Sequence, residues 1–256
     1  MTLQACAELV ERGDPVRFLA AMSCPPPARE VLFPLYAFNV EVSRAPYLTQ
    51  EPMIAEMRLQ WWRDALEEIG AGKPPRAHEV AQPLSEVIRS AGLSVALLDS
   101  VPVARRWDVW AEPFEDEAAF RDHLERVAGD LAWASALALG ARPEDEAGVR
   151  DGAWAAGLAR WFEAVPEMEA RGLKPLADGR PEAVAGLARE GLERLARARR
   201  AVRGGPAALA LRHGWETGPV LQAAAREPAR VGAGQLVRSE FRRKLALSVV
   251  AARGRW

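Results

Sequence analysis

Apolar positions recur along this chain every three to four residues, while the strict apolar and polar alternation of a half-buried strand is almost absent. That periodicity predicts an all-α protein. Pro25-Pro26-Pro27 is a stop followed by a start, since proline is tolerated in a first helical turn, and the next helix is expected from about Pro27 to Ala45. Val31, Leu35, Phe38 and Val42 give it one apolar stripe, Leu32, Tyr36, Asn39 and Ser43 lie on the neighbouring stripe, and Pro34 is expected to kink it. A further helix is expected over Glu51 to Ile69, followed by a loop from Gly70 to Pro83 that holds Gly72, Pro74 and Pro75. The same spacing predicts helices at Leu84 to Ala91, Ser94 to Trp107, Asp116 to Leu139, Pro143 to Glu163, Pro181 to Val202, Thr217 to Ala225 and Gly234 to Ala252. No break between them is long or polar enough to be a domain linker, so one helical domain is the economical architecture.

Composition narrows the function classes. Nearly half of the 256 residues are apolar, enough for a sizeable core. The longest uncharged apolar run, Leu131 to Ala141, is eleven residues, well short of the roughly 20 that span a bilayer. The first residues show neither a basic n-region nor a long apolar stretch, so no secretory signal is visible and a cytoplasmic location is expected. Cys6 and Cys24 do not form a metal-type pair and read as reduced, and His78, His123 and His213 lie far apart without a second ligand at metal spacing. A net charge of −1 gives no nucleic-acid footprint. The charge is nonetheless uneven: Arg189 to Arg203 holds six arginines against two glutamates, and Arg238 to Arg255 is also strongly basic. If Arg197, Arg199, Arg200, Arg242, Arg243 and Lys244 share a face, they would form a surface for anionic lipid or an acidic partner, with peripheral contact at the inner face of the cytoplasmic membrane.

The segment Leu35-Tyr36-Ala37-Phe38-Asn39-Val40-Glu41-Val42-Ser43-Arg44, followed by Arg58-Leu59-Gln60-Trp61-Trp62-Arg63, resembles the start of a squalene/phytoene synthase. Arg17-Phe18-Leu19-Ala20, Arg29 and Val127-Ala128-Gly129 add to the likeness, which extends over most of the chain. The resemblance implies an isoprenoid-synthase-type helical bundle and one squalene/phytoene synthase-like domain over residues 1–256. In those enzymes an aspartate cluster follows the "LYAF" segment and holds magnesium against a diphosphate. Here the matching positions around Asn39 carry Ser43, Arg44 and Tyr47, which cannot supply the anionic oxygens a hard dication needs.

The second aspartate motif of the family falls on Trp161 to Arg171, in one of two registers. Anchored on Gly157, its aspartates correspond to Ala164 and Met168; anchored on Gly152, they correspond to Glu163 and Glu167, an i, i+4 pair on one helix face. Glu41 is the only acid in the first segment, about 200° around the helix from Ser43. The pattern "AFNVE" with the following Trp-Trp segment is closer to a non-catalytic branch that includes a mitochondrial respiratory complex I assembly factor and its bacterial relatives.

Three functions follow from the resemblance. The first is a scaffold or assembly factor for a membrane respiratory complex, with no catalytic residues, metal or cofactor. The second is head-to-head prenyltransfer, which would require magnesium and the convergence of Glu41, Glu163 and Glu167. The third is metal-free binding of a prenyl phosphate or anionic lipid, with Arg44 on the phosphate. Tyr36, Phe38, Arg44, Trp61, Gly129, Trp133, Gly157, Trp161 and Arg171 are the candidate pocket residues, while core filling is the competing role for the aromatics, Trp62 and Trp154 included.

Overall fold

The computed structural model describes residues 3–110 and 112–256. Its elements are helical, with no strand among the described residues. They are α1 (Leu3–Gly13), α2 (Pro15–Met22), α3 (Pro26–Arg44), α4 (Pro52–Gly70), α5 (Ala81–Ala91), α6 (Val95–Trp110), α7 (Glu117–Leu124), α8 (Leu131–Ala138), α9 (Glu146–Ala170), α10 (Pro181–Ala201), α11 (Gly205–Leu211), α12 (Thr217–Arg226), α13 (Ala229–Gly232) and α14 (Glu240–Ala252). A π-helical turn, Glu125–Asp130, joins α7 to α8.

Most boundaries follow local chemistry. Helix α2 is opened by Asp14, whose side chain accepts the Arg17 backbone N–H, and by Pro15 in its first turn. Helix α5 closes on Gly92, which sits in the left-handed region at φ 61° where a side chain would be strained. Three differences from the expected elements stand out. The stretch expected as one helix from Asp116 to Leu139 is interrupted by the π-helical turn Glu125–Asp130, and α9 continues past Glu163 and through Pro166 to Ala170. Helix α14 begins at Glu240 rather than Gly234, because Gly234 adopts φ 67° just after α13 and turns the chain there.

Two large apolar clusters organise the bundle. One gathers α1, α3, α4 and α5 around Leu32, Phe38, Trp62 and Leu84; the other gathers α9 to α12 around Trp154, Leu158, Phe162 and Leu221. Phe38 is fully buried edge-on against Trp62, at 5.4 Å between ring centroids, while Trp61 beside it is only half-buried. Helix α8 is shared: Leu131 and Ala134 face the first cluster, Ala132 and Trp133 the second. Such rigid packing fixes the helix faces that meet between the clusters.

Candidate functional site

Between the clusters lies a cavity of about 500 Å³. The end of α3 contributes Asn39, Ser43 and Arg44, with Tyr47 just beyond it, and α6 contributes Arg105. Gly157, Arg160, Trp161, Ala164 and Met168 recur at helical spacing, so one face of α9 forms a wall. The hinge between α1 and α2 brings Arg12, Asp14 and Arg17, and the π turn brings Val127 and Ala128. Gly157 is needed where α9 meets that turn, because a Cβ there would stand 2.7 Å from the Cβ of Ala128. π-Helical turns often occur at functional sites, and here one carries part of the lining.

The lining is strongly cationic. It contains five arginines, Arg12, Arg17, Arg44, Arg105 and Arg160, against a single carboxylate among the described residues, Asp14. That carboxylate is already engaged: Asp14 accepts the Arg17 backbone N–H at 3.0 Å, Arg17 Nη1 at 2.8 Å and Arg160 Nη1 at 3.1 Å. Burial alone would raise its pKa, but the charges of Arg160 and Arg17 hold it well below the usual carboxylate range. Arg44 is bound to Glu41 and Arg105 to Asp108, the latter at 3.2 Å. The Tyr47 hydroxyl also donates to Asp108, at 3.4 Å, and burial followed by the Asp108 charge pushes it up to about 12.

Several buried polar atoms of this lining have no protein partner: Nε of Arg17, Arg44 and Arg105, Oδ1 of Asn39 and Oγ of Ser43. Buried polar groups are normally satisfied, so these five atoms leave the residues around the cavity incompletely paired within the protein. The donors are guanidiniums, which suit phosphate or carboxylate oxygens. They do not suit magnesium, which needs anionic or neutral oxygens that the paired Asp14 cannot supply alone. No group of three or more potential metal ligands occurs among the described residues.

The structure brings together Asn39, Ser43, Arg44, Tyr47, Gly157, Trp161, Ala164 and Met168 from the sequence-based candidates. Ala164 and Met168 line the cavity, whereas the three glutamates needed for prenyltransfer diverge. Glu41 faces a separate pocket with Trp61, Trp62 and His78; Glu163 lies near Arg160, Arg243 and Glu216; Glu167 pairs with Arg171 on the surface. Six of the nine candidate pocket residues lie outside this cavity. Tyr36 is buried with its hydroxyl directed to the Ala210 carbonyl, Phe38 and Trp133 fill core, and Gly129 abuts Glu125 and Arg150. Trp61 lines the Glu41 pocket instead, and Arg171 stacks over the Tyr47 ring in a third, smaller pocket, at 4.9 Å from its centroid.

The basic surface also differs from expectation. Arg197 pairs with Asp151 and Lys244 with Glu240, and on α10 Arg197 and Arg199 point about 200° apart. The six basic residues therefore do not form one face. Arg199 and Arg203 instead share a groove with Arg253 and Arg255.

Sequence and fold comparisons agree with this architecture. The squalene/phytoene synthase family pattern matches residues 10–172, more than half of the chain. A Drosophila melanogaster protein named NADH dehydrogenase (ubiquinone) complex I, assembly factor 6 homolog is 35% identical over 105 residues, 39% of this chain and 31% of that protein. The Homo sapiens protein of that name, complex I assembly factor 6, is 25% identical over 135 residues, 53% of this chain and 40% of its own. The match thus spans less than half the length of either relative. Among solved structures, a dehydrosqualene synthase in complex with ligand superposes with a TM-score of 0.79 at 16% identity, covering 98% of this chain and 95% of that one. Squalene synthase HpnC from Alicyclobacillus acidocaldarius gives 0.61 at 14% identity over 98% and 94%. At those identities the likeness establishes the isoprenoid-synthase-type helical fold.

Proposed function

This chain belongs to the squalene/phytoene synthase family, and from that membership we propose that it is a non-catalytic member acting in assembly of a complex I-like respiratory enzyme at the inner face of the cytoplasmic membrane. The observation that carries the non-catalytic part is the lining itself. Where the family resemblance places magnesium-binding aspartates, the cavity presents Ser43, Arg44, Tyr47, Ala164 and Met168. Ionising an allylic diphosphate requires charge neutralisation of the leaving group, and metal ions supply much of it in such reactions. The names of the similar proteins support the assembly role. No described helix is long and apolar enough to cross a membrane, which fits action from the surface.

Incubation with farnesyl or geranylgeranyl diphosphate and magnesium is expected to release no diphosphate above a heat-killed control. Cells lacking the protein are expected to lose NADH:quinone oxidoreductase activity from their membranes, with restoration by the intact gene. Magnesium-dependent turnover, or full respiratory activity without the protein, would overturn the corresponding half of this reading.

A second reading is favoured by the five arginines of the lining against one already paired carboxylate: the cavity holds a phosphate-bearing or other anionic head group without metal. Inorganic pyrophosphate in excess chelator is expected to bind, and Arg44→Gln with Arg105→Gln to weaken it on the order of 100-fold, as loss of two charge-assisted contacts implies. Equal affinity in the double variant would reject this reading.

A further inference from the structure

Helix α14 carries its apolar residues on two opposite sides. Leu247 is buried in a small cluster with Ala20 and Trp215, and Ala246 and Val250 pack with it. Phe241, Leu245 and Val249 recur at i, i+4 and i+8 on the other side, and Phe241 is 76% exposed. At about 100° per residue these three fall within an 80° arc centred nearly opposite the buried face. An exposed leucine alone needs no explanation, but an outward apolar ridge on a surface helix is an unpartnered face.

The surroundings of that ridge say what covers it. Val249 also lines a groove of about 450 Å³ whose charged side chains are Arg199, Arg203, Arg253 and Arg255, with no Asp or Glu among the described lining residues. Burial lowers the pKa of Arg199, and no acidic neighbour offsets that effect. Arg242 is exposed on the groove side of the ridge, and Arg253 lies a further 20° around α14. A second copy of this chain would bring the same arginines against each other. An anionic bilayer supplies both an apolar layer for the ridge and negative head groups for the arginines.

We propose that α14 and the groove beside it form an interfacial membrane-docking surface, with Phe241, Leu245 and Val249 entering the head-group boundary and Arg199, Arg203, Arg253 and Arg255 engaging anionic phospholipid. This deepens the peripheral membrane placement proposed above and rests on it, but it concerns a surface separate from the Arg44 and Arg105 cavity. Its lipid contact requires no respiratory partner.

Co-sedimentation with vesicles of phosphatidylcholine alone, and of equal parts phosphatidylcholine and phosphatidylglycerol, tests it. Retention is expected only on the acidic vesicles, with release as salt rises to about 0.5 M and the Debye length shortens. Phe241→Ser with Leu245→Ser is expected to lower retention by about tenfold or more, as loss of the buried apolar area implies. Arg199→Gln with Arg253→Gln should also weaken it by about 30-fold, from roughly 1 kcal/mol per basic residue at the surface. Both pairs leave the pyrophosphate site intact. Far-UV circular dichroism and the thermal midpoint of each variant report folding, and a change in either is read separately from loss of docking. Retention independent of lipid charge, retention unchanged in either variant, or a solution dimer that the ridge variant dissociates would overturn the proposal. Binding of the intact protein to a soluble acidic protein but not to acidic vesicles would do the same.

Discussion

Lowering the pH from about 6.5 to 4.5 is expected to remove roughly 5 kcal/mol of folding stability through two buried histidines. His123 is enclosed by Trp107, Phe114 and Trp161, at 5.7, 5.4 and 5.1 Å between ring centroids, and its Nε2 is buried without a partner. Burial, then the charges of Arg105 and Arg126, pushes it down to about 3. His213 shares a 3.0 Å hydrogen bond between Nδ1 and the Ala210 carbonyl, and burial with Arg17 and Arg160 nearby also pushes it down to about 3. Both folded values lie below the unfolded value near 6.5. The unfolded chain therefore takes up protons first as pH falls, so this stability is complete above about 6.5 and is lost toward 3, at about 1.4 kcal/mol per unit for each histidine.

Other groups oppose that slope. Burial raises the carboxyls of Asp108, Glu125, Glu163 and Glu216, which favours the folded state as they protonate. The histidine share is isolated by comparison with a variant. Urea unfolding at pH 6.5, 5.5 and 4.5 should show His123→Phe losing about 1.4 kcal/mol per unit less than the unaltered protein. Parallel pH profiles would show that His123 is not held neutral by its aromatic cage.

The sequence made the helical class and most helix positions readable because apolar spacing reports which face of each helix is buried. It also pointed to one wall of the cavity, since Gly157, Trp161, Ala164 and Met168 lie on one helical face. Arg160 belongs to that face, four residues before Ala164, and could have been included by the same spacing. Asp14-Pro15 carried a clear start signal for α2, yet its first two helices were not among the predicted elements. The rest was not local. Arg12, Arg17 and Arg105 reach the cavity only through tertiary packing of α1, α2 and α6, and the π turn shifts register in a way that a 3.6-residue period does not disclose. The aromatic residues were less informative than they looked. Phe38, Trp133 and Trp154 serve packing, and the polar character of the cavity comes from arginines that composition alone assigns to surface.

Asp14 joins stability to the site, so its replacement should give the second large effect. The carboxylate is 5% exposed and neutralises Arg17, itself 7% exposed, while also capping α2. Asp14→Ala removes the cap and leaves a buried guanidinium without its anion, a change expected to cost about 3–5 kcal/mol. Asp14→Asn keeps a capping oxygen and removes only the charge, so it should cost less while making the cavity more cationic. If the cavity accepts phosphate-type anions, pyrophosphate should raise the thermal midpoint of Asp14→Asn more than that of the unaltered protein. The physical reason is that the ligand then supplies negative charge that Asp14 no longer provides, and binding to the folded state stabilises it by mass action, about 2.7 kcal/mol at 100 times Kd. Thermal unfolding of both proteins with and without pyrophosphate in chelator checks this directly. An Asp14→Asn variant as stable as the parent would discount the ion pair, and a midpoint indifferent to pyrophosphate in both would leave the guanidinium cluster without an anionic ligand of this class.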